Sequence, residues 1–228
     1  MRRTLYVIGP EVLPYGEALT AQQRLLERCI ETERRDNFLM LLEHPPVITV
    51  GRSGDVDEVT ADAEALCRRG VQVVETNRGG RVTFHGPGQL VMYPVMDLKA
   101  VGADLHAYLR DLEGWLIALL DGFGIAAEPR PPHTGVWVGE AKIASIGIAV
   151  RRWVAYHGVA LNVATDLSFF DLIVPCGLTG VRLTSMAELL GRSMDVAEAA
   201  SRAAATFAQQ FAFDECVPCG REEAVAAR

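Results

Sequence analysis

The segment "NRGGRVTFHGPGQLVMYPV" (residues 77–95) places a loop rich in glycine and proline directly before an apolar strand. Gly79-Gly80 and Gly86-Pro87-Gly88 flank a short strand-like piece, "RVTFH". Glycine permits positive φ and lets the backbone approach a ligand closely. The segment therefore predicts exposed backbone N–H groups and brings Arg78 and His85 towards a common ligand. Two tight turns that join strands would give the same spacing, so both interpretations stay open at this point.

The sequence carries no nucleotide-binding signature. No G-x-G-x-x-G run opens a helix here, and the G-x-x-x-x-G-K-[ST] phosphate loop is missing as well. These motifs therefore give no reason to expect a nucleotide at the loop of residues 77–88.

Composition narrows the functional classes. The chain has 228 residues, of which 50% are hydrophobic and 22% charged, as in an ordinary globular protein. A net charge of −7 argues against a general nucleic-acid binder. The apolar run "WLIALLDGFGIAA" is interrupted by Asp121 and two glycines, so it is too short to span a membrane. The first apolar run stops at Gly9-Pro10, too early for a signal peptide, so we expect a cytoplasmic protein with no membrane partner.

Apolar periodicity predicts a mixed α/β (α+β) protein. Helical spacing runs through residues 15–33 and 102–122, and capping boxes at Ser185 and Asp195 start two later helices. Strands are predicted for "FLMLLEH", "PVITVGR", "VQVVETN" and "QLVMYPVMDL", and a meander for residues 135–164. The order lacks a regular βαβ alternation, which favours a single mixed-sheet domain over residues 1–213. Residues 214–228 are expected to form a flexible C-terminal tail.

Two residues have the chemistry of a nucleophile and a proton carrier. Cys176 stands in a Pro-Cys-Gly turn, where a thiol is displayed, although most free cysteines are small buried hydrophobes. Lys142 is one of only two lysines beside 20 arginines, and it begins the strand "AKIASIGIAV". It could be an edge-strand charge, or an amine near Cys176 that favours the reactive thiolate.

Three blocks together resemble a known family: "RGGRVTFHGPGQLVMYPV", "GEAKIASIGIAVRRWVAYHGVALNV" and "IVPCGLTGVRLTSM". In this order and spacing they are similar to the octanoyltransferases of lipoate biosynthesis, the LipB family. The resemblance implies the biotin/lipoyl protein ligase fold, a central mixed β-sheet flanked by helices. It also implies transfer of an octanoyl group from octanoyl-acyl carrier protein, through a cysteine-bound acyl-enzyme, to a lysine amine. The implied acceptors are the lipoyl domains of 2-oxoacid dehydrogenase complexes and the H protein of glycine cleavage.

The resemblance assigns roles to residues. Cys176 is the implied nucleophile and Lys142 its acid/base partner, with no ATP and no metal required. The implied acyl-binding residues form three segments, namely Arg78, Gly79, Gly80, Arg81, Val82, Thr83, Phe84 and His85, then Ser145, Ile146 and Gly147, and finally Gly158, Val159 and Ala160. His85 could instead be a loop histidine that bonds a neighbouring carbonyl.

Other interpretations compete with this one. An ATP-dependent lipoate or biotin ligase shares the fold but needs no cysteine nucleophile, and a silent lipoyl-domain binding protein needs neither Cys176 nor Lys142. The "CVPC" run near the end of the chain has metal spacing but no second ligand pair, so it does not predict a zinc site. Four arginines within or beside the matched blocks could form a local basic rim for acidic carriers, namely Arg130, Arg151, Arg152 and Arg182.

Overall fold

A computed structural model describes residues 3–31, 36–174 and 181–226. Its strands are β1 (Thr4–Val12), β2 (Asn37–Glu43), β3 (Val47–Val50), β4 (Gln72–Glu75), β5 (Val82–His85), β6 (Gln89–Asp97), β7 (Glu128–Arg130), β8 (His133–Val138), β9 (Ala141–Arg151), β10 (Val154–Asn162), β11 (Arg182–Leu183) and β12 (Glu215–Pro218). Its α-helices are α1 (Tyr15–Glu31), α2 (Ala63–Arg68), α3 (Leu105–Asp121), α4 (Met186–Leu190), α5 (Val196–Gln210) and α6 (Arg221–Ala226).

Most strands join one mixed sheet. Over the described ranges it has nine strands in the order β12-β1-β2-β6-β10-β9-β8-β7, with β11 added in parallel beside β9. Strands β1, β2 and β12 pair in parallel, whereas the neighbours from β2 through β7 pair antiparallel. The central strands β6 and β10 are buried along almost their whole length, which explains why most of their residues are apolar.

Helices cover both faces of this sheet. In β2, Leu39 and Leu41 pack into the core that contains α3 and α5, while Phe38 and Met40 pack into the core that contains α1. This alternation is the period of two that a strand imposes on its side chains. The predicted central mixed sheet flanked by helices is therefore confirmed.

Helix α3 illustrates how local sequence determines an element. The Asp104 side chain accepts hydrogen bonds from the His106 and Ala107 backbone N–H groups, which caps the helix at its start. Tyr108, Leu112, Trp115, Leu116 and Leu119 are buried on one side. The Trp115 indole N–H donates to the Ala203 carbonyl at 3.0 Å and so ties α3 to α5. This apolar side leaves the opposite flank of the helix free to contribute to a cavity wall.

A second, three-stranded sheet lies beside the first in the order β4-β3-β5. Its own small core contains Ile48, Val50, Val82 and Phe84. Because β5 belongs to this sheet and β6 to the large one, the loop of residues 77–81 that precedes β5 is held where the two sheets meet.

The C-terminal segment differs from the flexible tail that the sequence predicts. Strand β12 pairs in parallel with β1, with Thr4 opposite Glu215 and Val7 opposite Pro218. Helix α6 packs on α1, and Ala224 is fully buried. A short edge strand is held by backbone hydrogen bonds, which leave no apolar pattern in the sequence, and composition alone therefore missed it.

Candidate active site

A cavity of about 430 Å³ opens between the loop of residues 78–83, strands β9 and β10, and helix α3. Such a volume lies in the usual range for a small-molecule site. One part of its wall is apolar, with Val91, Ile146, Ile148 and Val159. Polar residues line much of the rest, and these are Tyr15, Arg78, Arg81, Thr83, His85, Tyr93, His133, Thr134, Lys142, Ser145 and His157.

The three segments that the sequence singles out meet at this cavity. Ser145, Ile146 and Gly147 lie opposite Ala160, Val159 and Gly158 in the β9–β10 ladder. The Gly79 N–H donates to the Ile148 carbonyl at 2.8 Å and joins the loop to β9. A Cβ on Gly147 would lie 2.8 Å from the Gly79 carbonyl oxygen, so glycine permits this close approach.

Phe84 is the exception among these residues. It does not line the cavity, because alternation along β5 turns its ring into the small core. There it stacks on Phe169 with ring centroids 4.6 Å apart. Thr83 and His85, its neighbours in β5, both line the cavity.

Arg78 uses its guanidinium to hold backbone. Its Nη2 donates to the carbonyls of Thr49 at 2.6 Å and Arg81 at 2.7 Å, and its Nη1 donates to the Gly79 carbonyl at 3.0 Å. Its Nε donates to the Thr49 hydroxyl at 3.0 Å. A buried cation that binds several carbonyls fixes the shape of the glycine loop, and it also places a positive charge near the cavity.

Lys142 lies at the start of β9 with only 4% of its surface exposed. Its Nζ donates to the Thr134 carbonyl at 3.1 Å and lies 5.6 Å from the centre of the Trp137 ring. The Gly135 backbone comes so close that a Cβ there would lie 2.6 Å from the Lys142 Cε. The amine therefore occupies a defined position in the cavity wall, unlike a solvated edge-strand charge.

His85 is neutral at physiological pH. Burial lowers its pKa from 6.5 to about 3, with smaller contributions from His44 and Arg78. Its Nδ1–H donates to the Gln89 Oε1 at 2.7 Å. His44 donates through Nδ1 to the Leu13 carbonyl and accepts through Nε2 from the Tyr93 hydroxyl. Burial also raises the pKa of Tyr93 well above its ordinary value, so His85 and Tyr93 are both polar but uncharged.

His157 and Asn77 are cavity-region residues that the sequence did not single out for a role. The His157 Nε2–H donates to the Asn77 Oδ1 at 2.8 Å, and its backbone N–H donates to the Gln22 Oε1 at 2.8 Å. Burial and the Arg78 charge lower the pKa of His157 to about 4. Its φ of 57° lies in the left-handed region, which is uncommon in a strand. The sequence pattern does not indicate this conformation.

Cys176 lies outside the described residues. The described chain before it ends at Val174, whose N–H donates to the Glu58 carbonyl at 2.8 Å. The chain after it enters β11, where Leu183 lies opposite Lys142. The Thr184 N–H also donates to the Lys142 carbonyl at 3.1 Å. The chain that carries Cys176 thus returns to the Lys142 strand seven residues later.

The four arginines predicted to form a basic rim differ in their exposure and in their ion pairs. Arg151 and Arg152 are exposed at the turn between β9 and β10, and Arg182 is exposed in β11. Arg130 instead forms an ion pair with Glu140. Of the five cysteines, Cys29, Cys67, Cys216 and Cys219 are free thiols.

The described part of the chain contains no group of three or more His, Cys, Asp or Glu side chains arranged to hold a metal ion. Over the same residues, no helix is long and apolar enough to cross a membrane.

Known proteins of similar sequence identify the family of this chain. The family model of the lipoyl protein ligase A/B catalytic domain matches residues 14–208. An octanoyltransferase from Solibacter usitatus is 48% identical over 202 residues, which are 89% of this chain and 90% of that relative. The chain belongs to the octanoyltransferase family. An octanoyltransferase from a Thermoanaerobacter species is 43% identical over 200 residues, 88% of this chain and 87% of the relative.

Solved structures agree on the fold. A bi-partite lipoate protein ligase from Thermoplasma acidophilum, studied with its E2 lipoyl domain, superposes with a TM-score of 0.72 at 20% identity, covering 99% of this chain and 90% of that one. A biotin protein ligase from Aquifex aeolicus, in complex with biotin and ATP, gives a TM-score of 0.54 at 15% identity, covering 92% and 71%. The predicted biotin/lipoyl protein ligase fold is confirmed, and family membership makes the protein an acyltransferase.

Proposed function

We propose that this protein transfers an octanoyl group from octanoyl-acyl carrier protein to the lysine amine of lipoyl domains, through an acyl-enzyme on Cys176. The catalytic domain would include β12 and α6, since β12 pairs with β1 of the large sheet and α6 packs on α1. The observation that carries the proposal is the cavity itself. It combines an apolar wall, two glycine-containing strand segments and the buried amine of Lys142, in a chain that belongs to the octanoyltransferases.

The apolar part of the cavity suits a medium-length acyl chain. Ile146, Ile148 and Val159 offer side chains for its methylene groups, and Gly147 and Gly158 leave room along the backbone. At ~0.8 kcal/mol per buried CH₂, an octanoyl tail would gain roughly 5 kcal/mol. Contacts of this kind discriminate only modestly between chains that differ by one or two methylenes.

The proposed reaction is an acyl transfer in two steps. The carrier first acylates Cys176, and the acyl group then passes from Cys176 to the acceptor lysine. The Cys176 thiolate attacks the thioester carbonyl, the bond to the carrier's sulfur breaks, and the departing thiol takes a proton from Lys142. The lysine amine of the acceptor then attacks the octanoyl-cysteine, loses its proton to Lys142 and forms an amide, which returns the Cys176 thiolate.

No ATP or metal is needed for this balance. A thioester is exchanged for a thioester and then converted to an amide, which is downhill. Three observations support this role for Lys142: it is buried, its Nζ donates to the Thr134 carbonyl, and its strand β9 pairs with β11, which follows Cys176 in the chain. An ammonium near a thiol stabilises the thiolate. His85, neutral and bonded to Gln89, would shape the cavity and would not act as the base.

The acceptor class rests on the fold and the family. The Thermoplasma ligase was studied with an E2 lipoyl domain, and it shares this fold. We propose the lipoyl domains of 2-oxoacid dehydrogenase complexes and the H protein of glycine cleavage as acceptors for this chain. Arg151 and Arg152, exposed at one turn, would form the rim that attracts these acidic carriers.

A transfer assay without ATP tests the proposal. Purified protein, octanoyl-acyl carrier protein and an apo lipoyl domain are mixed, and the mass of the lipoyl domain is followed. The expected result is one added octanoyl group in the wild type, none with Cys176→Ser, and a large loss with Lys142→Ala. Cys67→Ser, which alters an exposed cysteine, is the matched control and should transfer normally.

The ligase alternative has a different outcome in the same assay. If transfer from free octanoate with ATP matched or exceeded transfer from the carrier, and Cys176→Ser left it unchanged, the protein would be an adenylating ligase. If no transfer occurred under either condition while the lipoyl domain still bound, the protein would be a silent binding protein.

A further inference from the structure

Helix α3 places a carboxylate on the far side of the peptide that holds Lys142. Glu113 is 2% exposed, which is unusual for a glutamate. Its Oε1 accepts a hydrogen bond from the Gly135 N–H at 3.0 Å, and its Oε2 accepts one from the Arg110 Nη1 at 3.0 Å. The buried charge is therefore compensated by one cation and one backbone donor.

One peptide unit connects Glu113 to Lys142. The N–H that binds Glu113 belongs to Gly135, and the carbonyl that binds the Lys142 Nζ belongs to Thr134. These two groups are the two ends of a single planar amide, so fixing the N–H direction also fixes the direction of the carbonyl. A charged acceptor on the N–H polarises the amide and strengthens its carbonyl as an acceptor.

Gly135 makes this arrangement possible. Its φ is 133°, in the region that glycine adopts readily, and a Cβ there would lie 2.6 Å from the Lys142 Cε and 2.7 Å from the Ala144 carbonyl oxygen. The β8–β9 pairing shifts register between Val136 and Trp137, immediately after this glycine. The strand is thus displaced at the point where its backbone meets both Glu113 and Lys142.

The same flank of α3 also forms part of the cavity. Leu105 and Leu109 line it, and Glu113 follows Leu109 by one helical turn. Helix α3 therefore lines the cavity with two leucines and, one turn later, holds the Thr134–Gly135 peptide with Glu113.

We infer that Glu113 is a positioning residue for Lys142, which it orients through the Thr134–Gly135 peptide. This inference rests on the proposed function, because it takes Lys142 to be the proton carrier of the transfer. Glu113 itself does not touch the reacting atoms. Its contribution is to hold the amine at a fixed position and so to keep it in reach of the thiol and the acyl group.

Removing the carboxylate should slow the chemical step while the acyl cavity persists. Glu113→Ala is expected to lower kcat for octanoyl transfer by about 10- to 100-fold with little change in KM for octanoyl-acyl carrier protein. Glu113→Gln keeps an oxygen acceptor for the Gly135 N–H, so it should restore most of kcat. The rate at which iodoacetamide alkylates Cys176 near neutral pH should fall in Glu113→Ala and recover in Glu113→Gln.

Asp111→Ala is the matched control, because Asp111 is an acidic residue of the same helix whose carboxylate is hydrogen-bonded to Gln210. It should leave kcat and the alkylation rate near wild type. Thermal unfolding of each variant measures the folded fraction, and Glu113→Gln keeps the test decisive should Glu113→Ala fold poorly.

The outcomes separate this inference from the proposed function. If Lys142→Ala slows transfer but both Glu113 variants keep wild-type kcat, the positioning role is overturned while the transfer mechanism stands. The role is also overturned if Glu113→Gln loses as much kcat as Glu113→Ala with both proteins folded. If Lys142→Ala transfers normally, the proton-carrier role fails first and the inference fails with it.

Discussion

The buried guanidinium of Arg78 gives the most quantitative prediction. In Arg78→Met, the carbonyls of Thr49, Gly79 and Arg81 lose the Arg78 donor, but the Arg81 carbonyl keeps its hydrogen bond from the Gly51 N–H at 3.1 Å. A buried acceptor left without a donor costs about 1–3 kcal/mol, so the Thr49 and Gly79 carbonyls together set a range of about 2–6 kcal/mol. Arg78 also borders the cavity, from which water can reach some of these carbonyls, so we expect the lower end, about 2–3 kcal/mol.

Urea unfolding followed by circular dichroism measures this loss directly. A protein of this size changes its Tm by about 2–4 °C per kcal/mol, so thermal unfolding should show a decrease of about 4–12 °C. Arg52→Met is the matched control, because Arg52 is a neighbouring exposed arginine and its substitution should change the free energy of unfolding by less than about 0.5 kcal/mol.

Two results would refute the argument about Arg78. If Arg78→Met unfolded within about 1 kcal/mol of wild type, the carbonyl contacts would not be holding the glycine loop. If the variant were as stable as wild type but no longer formed an acyl-enzyme, Arg78 would act on the substrate and not on the loop.

The remaining predictions concern pH and carrier binding. Because burial lowers the pKa of His157 from 6.5 to about 4, the unfolded chain binds more protons than the folded protein between these values, and the free energy of unfolding falls as the pH is lowered through this window. In chemical denaturation, His157→Gln should reduce the dependence of the free energy of unfolding on pH by about 1.4 kcal/mol per pH unit within this window. An unchanged dependence would contradict a lowered pKa for buried His157. Arg151→Glu combined with Arg152→Glu should weaken binding of octanoyl-acyl carrier protein in a titration and reduce its salt dependence, whereas unchanged affinity would remove the basic rim from the account.

Much of the fold was predictable from local patterns. The apolar runs of β2 and β6, the meander of β8, β9 and β10, and the amphipathic helices α1 and α3 all leave periodic signals. Their pairing order did not follow from these signals, because β2 meets β6 across more than forty residues of chain that contain the second sheet. Strand β12 was missed for the same reason, since its partner lies at the other end of the chain.

The residues of the candidate site were also only partly predictable from the sequence. Glycine-rich turns indicated the loop at residues 78–81, and the rarity of lysine drew attention to Lys142. Tyr15, Leu105 and His157 also line the cavity, but each comes from a distant element, and nothing local distinguishes them from core residues. Glu113 is a similar case, because it reads as an ordinary charge on a helix until its contact with the Gly135 N–H is known.

The most direct test of the central claim is the intact mass of the protein after it is mixed with octanoyl-acyl carrier protein, with no ATP and no lipoyl domain present. We expect one added octanoyl group on the wild type, located on Cys176 by peptide mapping, and none on Cys176→Ser. The adduct should disappear when an apo lipoyl domain is added. An unmodified wild type, or an adduct that survives in Cys176→Ser, would contradict the covalent mechanism.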